Sequence, residues 1–190
     1  MIIENYKQSW KFIKDSRIYL WIIAALFFAS AVFGFLFPVF FLDYINKFME
    51  QISAQTEGLN FIQLFLFIFS NNIKTAFIGL FSGILAGIIP IAIVLFNGYV
   101  LGFVANRVVL NSGVSVLWRL LPHGVFEIPA LILSLGLGLR MGWFIFKEKG
   151  KRMKELSYSL INSAKVFIYL IIPLLVIAAI IETALIVLIG

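Results

Sequence analysis

The chain has 190 residues, of which 62% are hydrophobic and 13% are charged, against about half and about a quarter in ordinary soluble domains. Its mean hydropathy is +1.06, and phenylalanine alone occurs 21 times. A soluble fold of this length has too little interior to bury so much apolar surface. The composition therefore predicts an all-α, polytopic transmembrane helical bundle, and it argues against nucleic-acid binding despite a formal net charge of +6.

The first long uncharged stretch, residues 18–42, is long enough to cross about 30 Å of hydrocarbon. Because the apolar run continues well past the small residues 29–31, we expect an uncleaved first span and not a signal peptide. A short polar connection is expected over residues 43–60. The basic residues that precede this span are Lys7, Lys11, Lys14 and Arg17.

The rest of the chain predicts four further spans in a single integral membrane domain covering residues 1–190. Residues 61–69 are too few to cross a bilayer and predict a short interfacial helix, with the lead-in to the next span as the alternative. Residues 75–106 are too long for one crossing, and Pro90, which lacks a backbone donor, predicts a break there. Two half-helices meeting at mid-membrane are the alternative for this stretch. The four predicted spans are residues 70–89, 91–110, 122–146 and 166–189.

Ten of the fifteen lysines and arginines fall in two segments, residues 1–17 and 147–165. Basic residues beside spans are typical of cytoplasmic segments, so we expect both segments on the cytoplasmic side. Five spans then place the N-terminus inside and the C-terminus outside, in a multi-pass protein of the cell membrane. The basic patch of residues 147–154 either only fixes this topology or also attracts anionic lipid headgroups.

Glycines recur at a spacing that brings helices close together. Small residues at i and i+4 let helix backbones approach each other where lipid supplies no hydrophobic drive. The pattern predicts helix packing on these faces, and we expect a homo-oligomer in the lipid bilayer. The residues concerned are Gly79, Gly83, Gly87, Gly98 and Gly102.

Glu127 and Glu182 are the two acidic residues expected inside spans, where a charge costs about 2.5–3.5 kcal/mol at mid-helix. The predicted topology puts both in the outer half of the membrane, and His123 lies one helical turn before Glu127. Asn97 and Arg140 are expected to form a second, weaker pair near the cytoplasmic side. The predicted outer polar cluster contains Lys74, Arg107, Arg119, His123, Glu127 and Glu182.

Three interpretations of this cluster remain open: ion pairs that hold helices together, a site that binds or passes an ion or proton, and a docking site for a partner.

Pro129 leaves the carbonyl of Val125 without its helical donor. That carbonyl, the Glu127 carboxylate and His123 are then possible cation ligands, as at broken helices in transporters.

The sequence argues against an enzyme. Ser134 lacks the glycines of a nucleophile elbow. His123 and Glu127 alone leave a zinc site two ligands short, and the chain contains no cysteine. We therefore expect no catalytic residue, no metal site and no cofactor.

The segment Leu121-Pro122-His123-Gly124-Val125-Phe126-Glu127-Ile128-Pro129 resembles the hallmark segment of the stage II sporulation protein M family. The pairs Asn71-Asn72, Asn97-Gly98 and Ile181-Glu182 are also similar to that family's pattern. The resemblance covers roughly residues 61–190. It implies that the characteristic positions are His123, Gly124, Glu127, Asn97 and Glu182.

The resemblance implies a non-enzymatic, multispan membrane protein that organises or anchors a membrane complex, with membrane or envelope proteins as partners. In spore formers such a protein works with two peptidoglycan-degrading enzymes that remodel the septum; relatives also occur in organisms that do not sporulate. The alternative is an oligomeric small-solute or ion transporter or channel built around Glu127 and Glu182. A dry, ion-paired cluster favours the organiser, and a continuous polar cavity favours the pathway.

Overall fold

The computed structural model describes the backbone of residues 2–115 and 121–189, and the side chains of residues 4–115 and 124–188. This part of the chain is almost entirely helical and contains no strand. The eight helices are α1 (Ile2–Asp15), α2 (Arg17–Leu36), α3 (Leu42–Thr56), α4 (Phe61–Phe81), α5 (Ile88–Ser112), α6 (Leu121–Gly142), α7 (Arg152–Val166) and α8 (Ile172–Ile189).

Five helical segments among the described residues are long and apolar enough to cross a membrane. The last of them joins α7 to α8 through a π-helical turn at Phe167–Ile171. The prediction of an all-α bundle with about five spans is therefore confirmed. The five segments are Arg17–Leu36, Phe61–Ile84, Ile88–Ser112, Gly124–Phe146 and Arg152–Leu188.

The region between the first two spans differs from the prediction. The first span ends at Leu36, and residues 42–56, expected to be a polar connection, form the amphipathic helix α3. Ile45 on α3 is fully buried against Tyr99 and Phe103 of α5. The polar composition of this segment therefore reflects a helix with one buried and one exposed face, not a loop.

Of the two expectations for residues 61–69, the separate interfacial helix is wrong and the lead-in to the next span agrees with the structure, because α4 runs without a break from Phe61 into the second span. A capping box starts it. The Gln63 backbone N–H donates to Asn60 Oδ1, and the Asn60 backbone N–H donates to Gln63 Oε1, both at 3.0 Å. These two bonds satisfy donors that a helix start leaves unpaired.

The break between the second and third spans lies before Pro90, not at it. A 3₁₀ turn at Ser82–Ile84 ends α4, and the chain reverses through Ala86 (φ 58°) and Gly87 (φ 72°). Pro90 is the third residue of α5. A proline fits there because the first backbone N–H groups of a helix have no intrahelical partner.

Close glycine contacts hold the spans together. Gly83 of the α4 end faces the Gly138 backbone of α6, so that a methyl group on Gly83 would overlap the Gly138 carbonyl. Gly98 and Gly102 of α5 lie against the α2 backbone, the latter at Ala31. Gly79 likewise faces Leu135, whereas Gly87 belongs to the turn and does not continue the face of α4. These contacts lie within one chain, so a homo-oligomer stays a prediction and would need another surface.

The two basic segments lie at the same end of the bundle. Arg140 Nη1, near the end of α6, donates to Ser16 Oγ (2.6 Å) and to the Phe12 carbonyl (3.3 Å) between α1 and α2. Lys165 Nζ on α7 donates to Gln8 Oε1 on α1 (2.8 Å). This arrangement agrees with a common cytoplasmic side for α1 and α7, and the inside orientation itself remains a prediction.

The turn between α2 and α3 is fastened by one buried hydroxyl group. The Tyr99 hydroxyl lies 2.9 Å from the carbonyl oxygens of Phe37 and Phe40 and accepts a hydrogen bond from the Phe40 N–H (3.0 Å). Phe41, which follows, has a left-handed φ of 57°. The hydroxyl therefore fixes the point from which α3 departs.

We expect Tyr99→Phe to destabilise the protein by about 1–3 kcal/mol, because it leaves partly buried backbone groups of Phe37 and Phe40 without a partner. The melting temperature in detergent should fall by about 2–4 °C for each kcal/mol lost. The matched control is Tyr44→Phe on α3, whose side chain is 62% exposed. Equal melting temperatures for the two variants would contradict this role of Tyr99.

Candidate functional site: an acid and amide cavity

A cavity of about 380 Å³ lies between α3, α4, α5, α6 and α8. Its wall is largely apolar, and helix α3 covers one side of it with Phe48, Met49 and Ile52. The polar groups come from all five helices. We call this the acid–amide cavity, and its polar lining consists of Thr56, Asn71, Asn72, Asn97, Glu127 and Glu182.

The two carboxylates reach the cavity from neighbouring helices. Glu127 and Gly124 lie one turn apart on α6, so that both face the cavity. Glu182 enters from α8, which packs along α6. Both glutamates are partly buried. Two acidic groups that are distant in sequence therefore line one cavity.

Asn97 contributes an acceptor from α5. Its Nδ2 donates to the Ile93 carbonyl of its own helix at 2.9 Å. The amide oxygen is left as the group that Asn97 offers to the cavity. Asn97 and Arg140 do not pair, which corrects the prediction, because Arg140 lies at the other end of its helix.

Arg140 instead holds together the end of the bundle that carries α1 and α7. Besides its bonds to the turn between α1 and α2, its guanidinium lies 4.1 Å from the centre of the Phe12 ring and 4.0 Å from the Glu155 carboxylate. Its side chain is 12% exposed. These contacts join α1, α6 and α7. Asn97 lines the acid–amide cavity and has no contact with Arg140.

The cavity differs in one respect from the predicted ion-paired cluster. Within the described part of the chain, no lysine or arginine nitrogen lies within 4.0 Å of Glu127 or Glu182. Lys74 is exposed and does not line the cavity; it lines an adjoining groove that shares Phe48, Ile52, Phe67 and Asn71 with the cavity. Arg107 is also exposed, with its guanidinium 5.3 Å from the Phe103 ring. Arg119 and the side chain of His123 lie outside the described residues.

The carbonyl freed by Pro129 is not part of this lining. Pro129 lies inside α6 without ending it. Pro129 is exposed and Val125 is 60% exposed, whereas the cavity is lined by Gly124, Glu127 and Ile128. The Val125 face of α6 therefore points away from the cavity, and the predicted ligand set of carbonyl and carboxylate is corrected.

Two further spaces adjoin the cavity. A pocket of about 140 Å³ shares Asn71, Asn97 and Glu127 with it and reaches Ala76 and Leu175. An open groove of about 730 Å³ between α3 and α4 shares Asn71. We call it the lateral groove, and its polar lining consists of Gln51, Gln55, Gln63, Ser70, Asn71 and Lys74.

The residue pattern did not lead us to predict the lateral groove, although it carries a signal. Gln63, Ser70, Asn71 and Lys74 recur at positions that share one face of a helix, in a segment that is otherwise apolar. Asn71 and Asn72 are indicated in the sequence only by the family resemblance. Polar residues at helical spacing inside a span therefore deserve the same weight as charged ones.

The lining suits a positively charged ligand. Carboxylate and amide oxygens are the groups that bind hard cations and ammonium groups in proteins. In ionised form, two carboxylates in a space of low polarity repel each other, and a bound cation removes that repulsion. Among the described residues, no group of three or more His, Cys, Asp or Glu is placed to hold a metal ion.

Comparison with known proteins identifies the chain's relatives. The sequence model of Stage II sporulation protein M matches residues 23–185. Uncharacterized protein MJ0706 of Methanocaldococcus jannaschii is 29% identical over 154 residues, which cover 79% of this chain and 67% of that protein. Uncharacterized protein MJ0793 of the same organism is 29% identical over 162 residues, covering 78% and 85%. No solved structure matches the chain.

Proposed function

Since the chain belongs to the Stage II sporulation protein M family, we propose that it is a multipass, non-enzymatic protein of the cell membrane with a cation-binding cavity. In this proposal the acid–amide cavity binds a cation or a small cationic solute and gives it a path into the membrane. The observation that carries the proposal is that Glu127 and Glu182 face one cavity without a basic partner among the described residues.

The arrangement supports binding more than helix locking. A carboxylate pair that only joins helices needs a cation beside it, because an uncompensated charge inside a span is costly. Here the space beside Glu127 is open and is lined with Asn71, Asn72 and Asn97. No lysine or arginine of the described residues supplies that cation, so we propose that a ligand does.

The proposed path starts on the outer side. Glu127 lies about 9 Å along α6 from its first residue, and Glu182 lies about 10 Å before the end of α8. With α1 and α7 on the cytoplasmic side, both carboxylates belong to the outer half of the bundle. The ligand would then enter beside α3, which covers the cavity at Phe48, Ile52 and Thr56.

The absence of enzyme activity is part of the proposal and is supported by Ser134. This serine is fully buried on α6, and its hydroxyl donates to the Ala76 carbonyl of α4. Its hydroxyl therefore links two helices and is not available to attack a substrate.

Cysteine labelling tests whether the cavity is hydrated. The natural chain contains no cysteine, so a thiol reagent reacts only with the single cysteine that is introduced. We expect Asn97→Cys to react from the outer side of intact vesicles with a membrane-impermeant thiol reagent. Millimolar concentrations of the bound cation, tried as sodium, potassium, magnesium and methylammonium salts, should slow that labelling.

The matched control is Ala178→Cys, which is fully buried on α8 and does not line the cavity. It should stay unlabelled under the same conditions. Failure of Asn97→Cys to react would mean that the cavity is dry, and it would count against a pathway. Labelling that no cation slows would count against a cation site.

A second candidate function is the organisation of a membrane or envelope complex, as in the sporulation proteins of the family. The exposed side of α3 favours it, because Asp43, Lys47 and Glu50 there are free to meet a partner protein. A dry cavity in the labelling experiment is the outcome that this second function predicts.

A further inference from the structure

We propose that the lateral groove between α3 and α4 binds the phosphate headgroup of a membrane phospholipid, with Lys74 as its anion contact. The proposal does not depend on cation binding in the acid–amide cavity. Its starting point is the position of Lys74, which follows the first residue of α4 by about 20 Å along a span that ends at Ile84. The lateral groove leads from Lys74 back to Leu59 and Gln63 at the start of α4, which is the end of the span where a lipid headgroup lies.

Lys74 lacks the compensation that such a depth requires. It is exposed, and no carboxylate oxygen of the described residues lies within 4.0 Å of its ammonium group. A charged group that faces the inside of a membrane is costly unless it is paired or reaches a polar space. An anionic group from outside the chain would supply the missing partner.

The groove offers further hydrogen bonds beside Lys74. Ser70 and Asn71 lie one turn before it on α4, and Gln51 and Gln55 face them from α3. These side chains provide several donors for phosphate and ester oxygens. The groove has a volume of about 730 Å³, which is large enough for a complete headgroup.

The remaining wall of the lateral groove is apolar, which favours a phospholipid over a soluble anion. Phe48, Leu59, Leu66 and Phe67 line the same groove. A soluble anion would leave these side chains uncovered, whereas a phospholipid brings its acyl chains together with its phosphate. The groove is open along its side, so the chains of a bound lipid can remain in the bilayer.

A second copy of the chain fits this groove less well. Most homodimers use a two-fold axis, so that the same patch meets itself. Such a contact would bring Lys74 towards Lys74 of the second copy, and like charges would then face each other in a medium of low polarity.

Site-specific labelling tests the proposal. We introduce Ser70→Cys into the cysteine-free chain and measure its reaction with a thiol reagent in detergent while phosphatidylethanolamine is added. We expect the lipid to slow the reaction. With Lys74→Met in addition, the lipid concentration needed for half-protection should rise about tenfold or more, because a charge-assisted hydrogen bond is lost.

Two control variants separate charge from folding. Lys74→Arg keeps the positive charge and should keep the protection. Lys47→Met removes an exposed lysine of α3 that does not line the groove, and protection should be unchanged. Methionine at position 74 is compatible with a lipid-facing span, so Lys74→Met should still give a monodisperse protein.

Several results would overturn the proposal. One is equal protection with and without Lys74→Met. A second is equal protection by glycerol 3-phosphate, which would indicate a site for a soluble phosphate. A third is a dimeric mass that Lys74→Met abolishes, which would assign the groove to a second copy. None of these results depends on Glu127 or Glu182, so the proposed cation site is judged separately.

Discussion

Gly102→Ala should lower the melting temperature of the detergent-extracted protein by about 10 °C. In the structure, a methyl group at this position would overlap the Ala31 carbonyl oxygen and approach the Phe35 backbone nitrogen to 2.7 Å. Both atoms belong to the backbone of α2, so they cannot turn aside as a flexible side chain would. Overpacking of a close interface costs about 3 kcal/mol at the upper end of the usual range.

The interface concerned, between α2 and α5, is the most extensive among the described helices. Helices α2 and α5 pack in parallel along Gly34, Gly98 and Gly102, and Asn106 Nδ2 donates to the Phe35 carbonyl at 2.9 Å. A forced separation at Gly102 would also weaken this hydrogen bond. Aggregation in size-exclusion chromatography is therefore the second expected readout.

Gly150→Ala is the matched control for Gly102→Ala. No atom in the described part of the chain lies within 4 Å of a methyl group placed on Gly150 in the loop before α7. This variant should melt like the natural protein. A Gly102→Ala protein that is monodisperse and equally stable would show that the α2–α5 contact is looser than described here.

The second large effect concerns the two carboxylates. We expect Glu127→Gln and Glu182→Gln each to weaken cation binding to the purified protein by about 100-fold, as measured by calorimetry. Glutamine keeps the size and the hydrogen-bonding oxygen and removes only the charge. An effective attraction of about 4 kcal/mol between unit charges near 4 Å allows an effect of this size.

The effects of the two substitutions should not add. Both carboxylates line one cavity and would bind the same cation. The second substitution should therefore weaken cation binding by a smaller factor than the first. The matched control is Glu50→Gln, an exposed acidic residue of α3 that does not line the cavity, and it should leave binding unchanged.

Stability separates binding from a purely structural role. If the glutamates bind a cation, Glu127→Gln should leave the melting temperature of the cation-free protein unchanged or raise it, because repulsion between two carboxylates is removed. If they hold helices together through ion pairs, the same variant should lower it by several degrees. The latter result would contradict the cation site.

The sequence alone was sufficient for the membrane class, the number of spans and the positions of the acidic residues. The composition determines the membrane class, because no chain of 190 residues can bury so many apolar side chains inside itself. The spans follow from long apolar runs with few charged residues. Glu127 and Glu182 are conspicuous because each is an acidic residue inside such a run. These properties are local, and each can be seen within a window of about 20 residues.

The sequence was less informative about turns. Pro90 was expected to break the long apolar stretch, but the chain reverses at Ala86 and Gly87. A proline fits within the first turn of a helix as well as at a break, and nothing local distinguishes the two. The close approach of Gly142 to Gly83 and Gly87 belongs to the packing of α6 and decides where the reversal lies.

Only the tertiary structure determined which polar groups meet. Depth along a span can be counted from the sequence, and this count correctly put Glu127 and Glu182 at one level. The rotation of each helix about its axis cannot be counted in this way, because it depends on which neighbours the helix packs against. For that reason Asn97 joined the glutamates, whereas Lys74 and Arg107, expected beside them, point elsewhere.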